Sequence, residues 1–227
     1  MLADGRLWIL GGLGVDSILG TTEILEETPA GTWRVFKGPD LPKPLFGHCV
    51  AVLPSGKVLL SGGFDGTDHS DITQEFEWIG ATTGKWSTKP WSPMETKRYD
   101  HACYLYGDSV HVTGGWNADI SEKLNTTRYD SISRKWNGTY AVDMDIELPD
   151  ILRSAMVGVS EGNLALIGGV SCILQNDLRN GRNCTKHKEV YELHSTGWKK
   201  STNEIGTPRS SHAALLVPSS IDFSCQT

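Results

Sequence analysis

The pattern of apolar and polar residues repeats four times along the chain. In each copy, four largely apolar residues run into a pair of glycines, at residues 7–12, 58–63, 110–115 and 164–169. The first glycines of the four pairs are Gly11, Gly62, Gly114 and Gly168. They follow one another at intervals of about 50 residues. A nearly fixed period of this length indicates one supersecondary unit that is copied in series.

Each copy also carries the signals for four strands. Short runs of small and apolar residues precede three of the glycine-pair strands, at 48–53, 101–106 and 154–159, and a turn containing glycine follows each run. Because glycine accepts the positive φ angles of tight turns, we predict hairpins here. After each glycine pair, a polar loop leads to two further strands. The last strand begins with Trp33, Trp86, Trp136 or Trp198. The unit is therefore a predicted four-stranded antiparallel sheet with its tryptophan in the core.

These units resemble the kelch repeat, which starts with an Arg-x-x-His-Ala motif and ends with a spaced tyrosine and tryptophan. The start is matched at 98–102 and 209–213, and the end at Tyr129 with Trp136 and at Tyr191 with Trp198. The second copy departs from the pattern, because Leu45 replaces the arginine and Ile79 the tyrosine; the first copy has Glu26 at the tyrosine position. The resemblance implies an all-β fold, a kelch-type β-propeller of four-stranded antiparallel blades.

The resemblance covers nearly the whole chain, which we interpret as a single propeller, 1–227. The predicted blades are 4–38, 46–91, 99–142 and 152–202, with an extra inner strand at 209–217. Too few residues precede the Asp4-Gly5 turn to give the first blade its innermost strand. Two interpretations stay open. Either the extra strand completes the first blade and closes a four-bladed ring, or the chain is a fragment of a ring with six or seven blades.

The cysteines fall into two groups. Cys49 and Cys103 lie at equivalent positions of predicted inner strands, where we expect buried free thiols. Cys172 and Cys184 lie in the long polar loop after the fourth glycine pair. A disulfide between these two would stabilise that loop by about 3 kcal/mol in the chain-entropy model. Cys225 is left without an assigned partner.

Three N-glycosylation sequons bear on the compartment, at Asn125, Asn137 and Asn183. Together with the predicted disulfide they favour a secreted or extracellular glycoprotein. A cytoplasmic location remains the alternative, because residues 1–5 lack the basic start and apolar core of a secretory signal.

Composition narrows the classes of partner. The net charge is −6 and no run of basic residues is interleaved with aromatics, so we expect no nucleic-acid partner. No stretch approaches the roughly 20 apolar residues of a membrane span. His48, His101 and His212 recur at one repeat position, which the kelch pattern explains structurally, and we expect no bound metal. We also expect no cofactor and no catalytic residue, since the motifs of hydrolases and phosphate-binding loops are missing.

Kelch domains that capture peptides do so with loops on one face of the propeller, and the resemblance places two sets of loops there. Arginine and aromatic side chains on such a rim are the usual anchors of an interface. The predicted ligand-binding face consists of Phe46, Phe64, Asp65, Arg98, Tyr99, Asp100, Trp116, Asn117, Arg153, Arg209 and Ser210. We therefore predict a non-catalytic module that binds a protein or peptide.

Two alternatives come from other relatives of the same fold. The chain is also similar to sialic acid mutarotases, and in that interpretation Arg98, Arg153 and Arg209 would clamp a carboxylate with paired hydrogen bonds. A second alternative is a cytoskeletal scaffold that binds actin, as some kelch relatives do.

Overall fold

The structure is a computed structural model. It describes residues 2, 4–88, 92–117, 126–137, 153–158, 164–174, 182–194 and 197–211, with the backbone alone for 172–174, 182, 183, 194 and 197. The regular secondary structure among these residues consists of β-strands joined by turns and loops, and none of the described residues lies in a helix. Within these ranges we accordingly find no helix with the length and hydropathy that crossing a membrane requires.

The strands form four antiparallel sheets in series, as predicted. The first contains β1 (Leu7–Leu13), β2 (Ile18–Glu27) and β3 (Trp33–Lys37). The second contains β4 (Cys49–Val52), β5 (Val58–Ser61), β6 (Thr73–Trp78) and β7 (Gly84–Trp86). The third contains β8 (Ala102–Tyr106), β9 (Ser109–Thr113), β10 (Thr127–Asp130) and β11 (Lys135–Asn137). The fourth contains β12 (Ala155–Gly158), β13 (Leu164–Ile167), β16 (Glu189–His194) and β17 (Gly197–Glu204).

A two-stranded hairpin lies where the sequence predicts a polar loop. Its strands are β14 (Val170–Leu174) and β15 (Arg182–Lys186), and they follow the fourth glycine pair directly. The loop prediction is therefore wrong here. Residues 170–174 are rich in the aliphatic residues typical of strands, Val170, Ile173 and Leu174. The density of polar residues in the rest of the segment obscures this signal.

The glycine-pair strands are apolar because both of their faces are covered. All four residues of β5 are buried, and so are the last four residues of β9. A strand in a sheet packed between two others has no solvent-facing side, so it contains a continuous apolar run instead of an alternating one. The second and third sheets meet this condition, and the first three residues of β13 in the fourth sheet are buried as well.

One row of three paired residues recurs in every sheet, and we call it the front row. In the third sheet it consists of Val110, Tyr129 and Trp136, which lie side by side across β9, β10 and β11. These side chains pack against Ala51, Leu53, Leu59 and Met94 of the second sheet and the segment after it. The equivalent rows are Val58, Phe76 and Trp86 in the second sheet, and Leu164, Leu193 and Trp198 in the fourth.

Hydrogen bonds join the front rows to the sheets before them. The indole N–H of Trp136 donates to Thr73 Oγ1 at 2.9 Å, and that of Trp198 donates to Thr126 Oγ1 at 2.7 Å. Both acceptors are buried. The tryptophan is thus fixed in the repeat by an apolar contact and a directed hydrogen bond to the preceding unit.

The prediction that all four tryptophans are core residues is wrong for Trp33, which is 49% exposed. In the first sheet it is Val35 that pairs with Leu25 and completes the front row with Leu7. Trp33 pairs with Glu27 at the end of β2 instead. No described sheet precedes the first one, so neither Trp33 nor Val35 is covered.

The inner strands β4, β8 and β12 lie beside one another around the axis. A disulfide joins Cys49 of β4 to Cys103 of β8, with the Cα atoms 6.2 Å apart. The prediction of two free thiols is therefore wrong. The two cysteines occupy the start of neighbouring inner strands, and the crowding that favours small residues there also brings the two sulfur atoms together.

The predicted modifications are only partly within the described residues. Cys172 and Cys184 lie opposite each other in the β14–β15 register, and Cys184 is disulfide-bonded. The side chain of Cys172 is outside the described residues, so its pairing with Cys184 stays a prediction. Asn137 is exposed at the end of β11. Asn125 and the side chain of Asn183 lie outside the described residues, as do 212–217, the main part of the predicted extra strand.

Candidate functional site on the loop face

A chain of backbone hydrogen bonds runs from sheet to sheet at the loop face. The N–H of Asp100 donates to Gly47 O at 2.8 Å, that of Arg153 to Asp100 O at 2.9 Å, and that of Ser211 to Arg153 O at 2.8 Å. All four residues have positive φ, between 54° and 61°. For three non-glycine residues this conformation is strained, and it persists because the packed inner strands on either side hold it. The peptide groups form a rigid rim around the axis.

The glycine pairs leave the space that this rim needs. The N–H of Gly63 donates to Arg98 O at 2.8 Å, and that of Gly169 donates to Arg209 O at 2.8 Å. A Cβ atom added to Gly62 would lie 2.5 Å from His101 Cε1, and one added to Gly115 would lie 2.8 Å from His101 Cβ. Gly62 is therefore required by the close approach of the next sheet, and Gly115 by the close approach of the segment before its own inner strand, as well as by their positive φ values.

The recurring histidine is a packing residue. His101 is buried, and neither of its ring nitrogens has a hydrogen-bond partner among the described residues. Burial, with smaller effects from the charges of Arg98 and His48, lowers the pKa of His101 to about 3. Burial also lowers the pKa of His48. His101 is thus a neutral ring enclosed between glycine pairs, as the structural interpretation of the motif requires. His212 lies outside the described residues.

Four aromatic rings form a cluster across the second and third sheets. Phe46, Phe64, His69 and Tyr99, which we call the aromatic cluster, have ring centroids 5.1–5.6 Å apart, mostly tilted or edge-on. Each ring is partly exposed. Phe46 and Phe64 exchange two backbone hydrogen bonds, and so do Tyr99 and Trp116. The cluster therefore sits on backbone that is fixed at both of its loops.

His69 is the member that the sequence analysis missed. It lies five residues after Phe64, to which its backbone is bridged. The repeat pattern has its histidine before the inner strand, so it gives no signal for a histidine in the loop after a glycine pair. Its approach to Tyr99 depends on a contact between loops of two sheets.

Charged groups flank the aromatic cluster. Asp65 accepts hydrogen bonds from the N–H groups of Asp68 and Thr67, at 2.8 and 2.9 Å, and lies 3.1 Å from Lys43 Nζ. These interactions, the backbone ones first, lower the pKa of Asp65 to about 2. Lys97 Nζ lies 2.5 Å from Asp68 Oδ2. The surface beside the cluster therefore carries paired charges of both signs at neutral pH.

The three predicted arginines differ in exposure and partners. Arg98 is 1% exposed, and its Nη1 donates to Gly114 O at 3.1 Å. Arg153 is half exposed, with its Nε 2.7 Å from Asp100 Oδ2. Arg209 is exposed, and its Nε donates to Thr207 O at 3.3 Å. Of the predicted face, Arg98 and Asn117 are buried, so the expectation of an exposed rim is wrong for these two. Ser210 is partly exposed beside Arg209.

Two curated kelch-repeat proteins are similar to this chain in sequence, in agreement with its repeated units. The chain is 35% identical over 66 residues to an F-box/kelch-repeat protein of Arabidopsis thaliana, which covers 27% of this chain and 14% of that protein. It is 29% identical over 122 residues to Kelch-like protein terF of Aspergillus terreus, which covers 51% of this chain and 24% of that protein. Its sequence is similar to these kelch-repeat proteins, and its serial four-stranded sheets form a kelch-type β-propeller fold. No protein-family model matches it, and it matches at most about a quarter of the length of these curated kelch relatives.

The solved structure of YjhT resembles this chain in fold. The TM-score is 0.70 with 19% sequence identity, over 95% of this chain and 72% of that chain. A likeness at that identity concerns the fold. It agrees with the serial arrangement of antiparallel sheets and says nothing of which loop-face residues bind a ligand.

Proposed function

We propose that this propeller binds a protein or peptide through the aromatic cluster of its loop face, and that binding at this cluster involves no catalysis. The observation that carries the proposal is the aromatic cluster, whose partly exposed rings lie on a rigid rim. Large, preorganised aromatic side chains supply contact area at a low cost in conformational entropy, and they are typical centres of binding interfaces.

The charges around the cluster define the kind of ligand. Asp65, Asp68 and Arg153 are each paired with an opposite charge, on Lys43, Lys97 and Asp100 respectively. Arg209 is exposed, and its Nε donates to a backbone carbonyl oxygen. A charge on one side of an apolar centre orients a bound chain and improves specificity more than affinity. We propose an extended peptide with an apolar or aromatic residue near an acidic one.

A displayed library of random 12-residue peptides tests this proposal. We expect selection of peptides with the proposed charge pattern, and Tyr99→Ala should weaken their Kd at least tenfold in fluorescence polarisation. Tyr106→Ala is the matched control, because Tyr106 is 41% exposed at the end of β8, away from these loops. Peptides that bind the Tyr99 variant as tightly as the native protein would contradict the proposal.

A sugar acid is the second candidate ligand, as in the mutarotase alternative. It is supported by the exposure of Arg153 and Arg209, either of which offers a guanidinium to a carboxylate. The buried Arg98 would need to change its conformation to take part. Nuclear magnetic resonance of N-acetylneuraminic acid distinguishes the two candidates. Faster anomer exchange with the native protein that is lost in Arg209→Ala would replace the peptide proposal.

We further propose that the protein is a secreted glycoprotein. The disulfide between Cys49 and Cys103 and the disulfide-bonded Cys184 support an oxidising compartment, and Asn137 is exposed as a glycan acceptor must be. Intact mass of the protein from its native source, before and after enzymatic deglycosylation, tests this. Unmodified asparagines and five free thiols would refute it.

A further inference from the structure

We propose that Ser171, His187 and Glu189 form a second site, in which Ser171 is a nucleophile for activated carboxylic esters. Ser171 Oγ lies 2.7 Å from His187 Nε2. On the opposite side of the same ring, His187 Nδ1 lies 3.4 Å from Glu189 Oε2. A hydroxyl, an imidazole and a carboxylate in line, with the imidazole in the centre, are the parts of an acyl-transfer triad.

The fold brings these three residues together around the fourth glycine pair. Ser171 is in β14, immediately after the pair, and the chain returns through β15 to His187 and Glu189. The N–H of His187 donates to Gly169 O at 2.9 Å, and the N–H of Gly168 donates to Glu189 O at 3.0 Å. The backbone on both sides of the site is therefore fixed, which is what a nucleophile and its base require.

The environment keeps Glu189 ionised. Burial acts to raise its pKa, but hydrogen bonds from the N–H groups of Glu189 and Lys188, together with the charge of Lys200, outweigh burial and lower it. Lys188 N lies 3.0 Å from Oε2, and Lys200 Nζ lies 3.5 Å from Oε1. A carboxylate beside Nδ1 favours the tautomer with its proton on Nδ1, and the lone pair of Nε2 then faces the Ser171 hydroxyl.

The chemistry follows from this tautomer. Ser171 Oγ forms a bond to the carbonyl carbon of the ester while its proton passes to His187 Nε2. The bond from that carbon to the alkoxy oxygen then breaks, and the Nε2 proton goes to the departing alcohol. Water attacks the acyl-serine by the same route, releasing the acid and restoring the hydroxyl.

The exposure of the site sets the class of substrate. Ser171 and His187 are only partly buried, so water remains in contact with the reacting groups. Electrostatic stabilisation of the oxyanion is weaker in a wet site than in a dry one. We therefore expect activated esters, whose leaving groups need little help, to react and amides to be inert. The backbone N–H of Arg209 donates to the backbone oxygen of His187 at 3.1 Å, so a cationic residue follows the site on the neighbouring segment.

Sequence inspection offers no signal for this site. Ser171 and His187 are 16 residues apart, on opposite sides of the hairpin, and no Gly-x-Ser-x-Gly motif surrounds the serine. The antiparallel pairing of β14 with β15 is what brings the two residues together.

A fluorophosphonate probe tests the proposal, because it phosphonylates activated serines and leaves ordinary ones unmodified. We expect labelling of the native protein at Ser171, located by tandem mass spectrometry, and loss of labelling in Ser171→Ala. Glu189→Gln, which preserves size, should slow labelling at least tenfold. Ser55→Ala is the control and should label like the native protein, since Ser55 is an exposed serine in the turn between β4 and β5.

Hydrolysis of p-nitrophenyl acetate gives the second readout, with loss of turnover expected in His187→Gln. Circular dichroism of each variant separates loss of the nucleophile from loss of the fold. Native protein that resists the probe, or labelling that persists in folded Ser171→Ala, would overturn the proposal. Labelling of folded His187→Gln at the native rate would do so too, because a hydroxyl without its base should not react.

Discussion

The front rows of the first and third sheets have the same register and opposite environments. In the third sheet, Val110 and Tyr129 are fully buried beneath the second sheet. In the first, Leu7 is 36% exposed and Val35 is 59% exposed, because no described sheet covers them. The core of this protein is thus formed between sheets and not within them. Apolar residues at the front-row positions predict which face of a sheet can be buried. Whether that face is buried depends on the presence of a neighbouring sheet.

The two sheets should differ strongly in how much stability is lost when a residue at the same front-row position is replaced by alanine. Trp136→Ala removes a buried indole and leaves Thr73 without its donor, so we expect a loss of about 5 kcal/mol in the free energy of unfolding. Val35→Ala, at the equivalent position of the first sheet, should cost less than about 0.5 kcal/mol. Urea denaturation followed by tryptophan fluorescence measures both. Similar losses for the two variants would show that the first sheet is covered in solution.

The disulfide extends the comparison to the inner strands. It ties β4 of the second sheet to β8 of the third across a sequence separation of 54 residues, whereas among the described residues no inner strand pairs with β1. Replacing both Cys49 and Cys103 by alanine should lower stability by about 4 kcal/mol in the chain-entropy model. Peptide mapping without reductant should first show the linked peptides in the native protein. If the Cys49 and Cys103 peptides are found unlinked, the native protein lacks this disulfide, and the double substitution should not lower its stability by that amount.

The pH dependence of stability follows from the depressed pKa of His101. Its folded pKa is about 3, whereas the unfolded value is about 6.5. Between these values the unfolded state binds one more proton, so stability falls as the pH drops below about 6.5, by up to about 1.4 kcal/mol per pH unit. Urea denaturation from pH 7 to pH 4 should show a shallower slope for His101→Asn than for the native protein.

The control for this prediction is His69, which is partly exposed in the aromatic cluster. Burial of part of its ring also lowers the pKa of His69, but water can still solvate the protonated form at the exposed part. We expect His69→Asn to change the slope only slightly. Equal slopes for the native protein and the His101 variant would mean that His101 is protonated in the folded state.

The sequence predicts the repeat and the hairpin order because glycine pairs and turns act locally. It also predicts the buried tryptophans at 136 and 198. Its errors concern contacts between sheets. No described sheet covers Trp33, which is therefore exposed. The proximity of two inner strands forms the Cys49 disulfide, and the packing of the third sheet buries Arg98. None of these contacts is encoded in the spacing of residues within one repeat.

The smallest predicted effect concerns a single hydroxyl at the interface of the second and third sheets. Tyr129 donates to Glu75 Oε1 at 3.1 Å, and both residues are buried. Tyr129→Phe preserves the ring but withdraws a donor from a buried carboxylate, so we expect a loss of about 1–2 kcal/mol. Tyr106→Phe should change stability by less than about 0.5 kcal/mol, because Tyr106 is 41% exposed. Equal effects in urea denaturation would mean that water replaces the Tyr129 hydroxyl at Glu75, and hence that this interface admits solvent as the first sheet does.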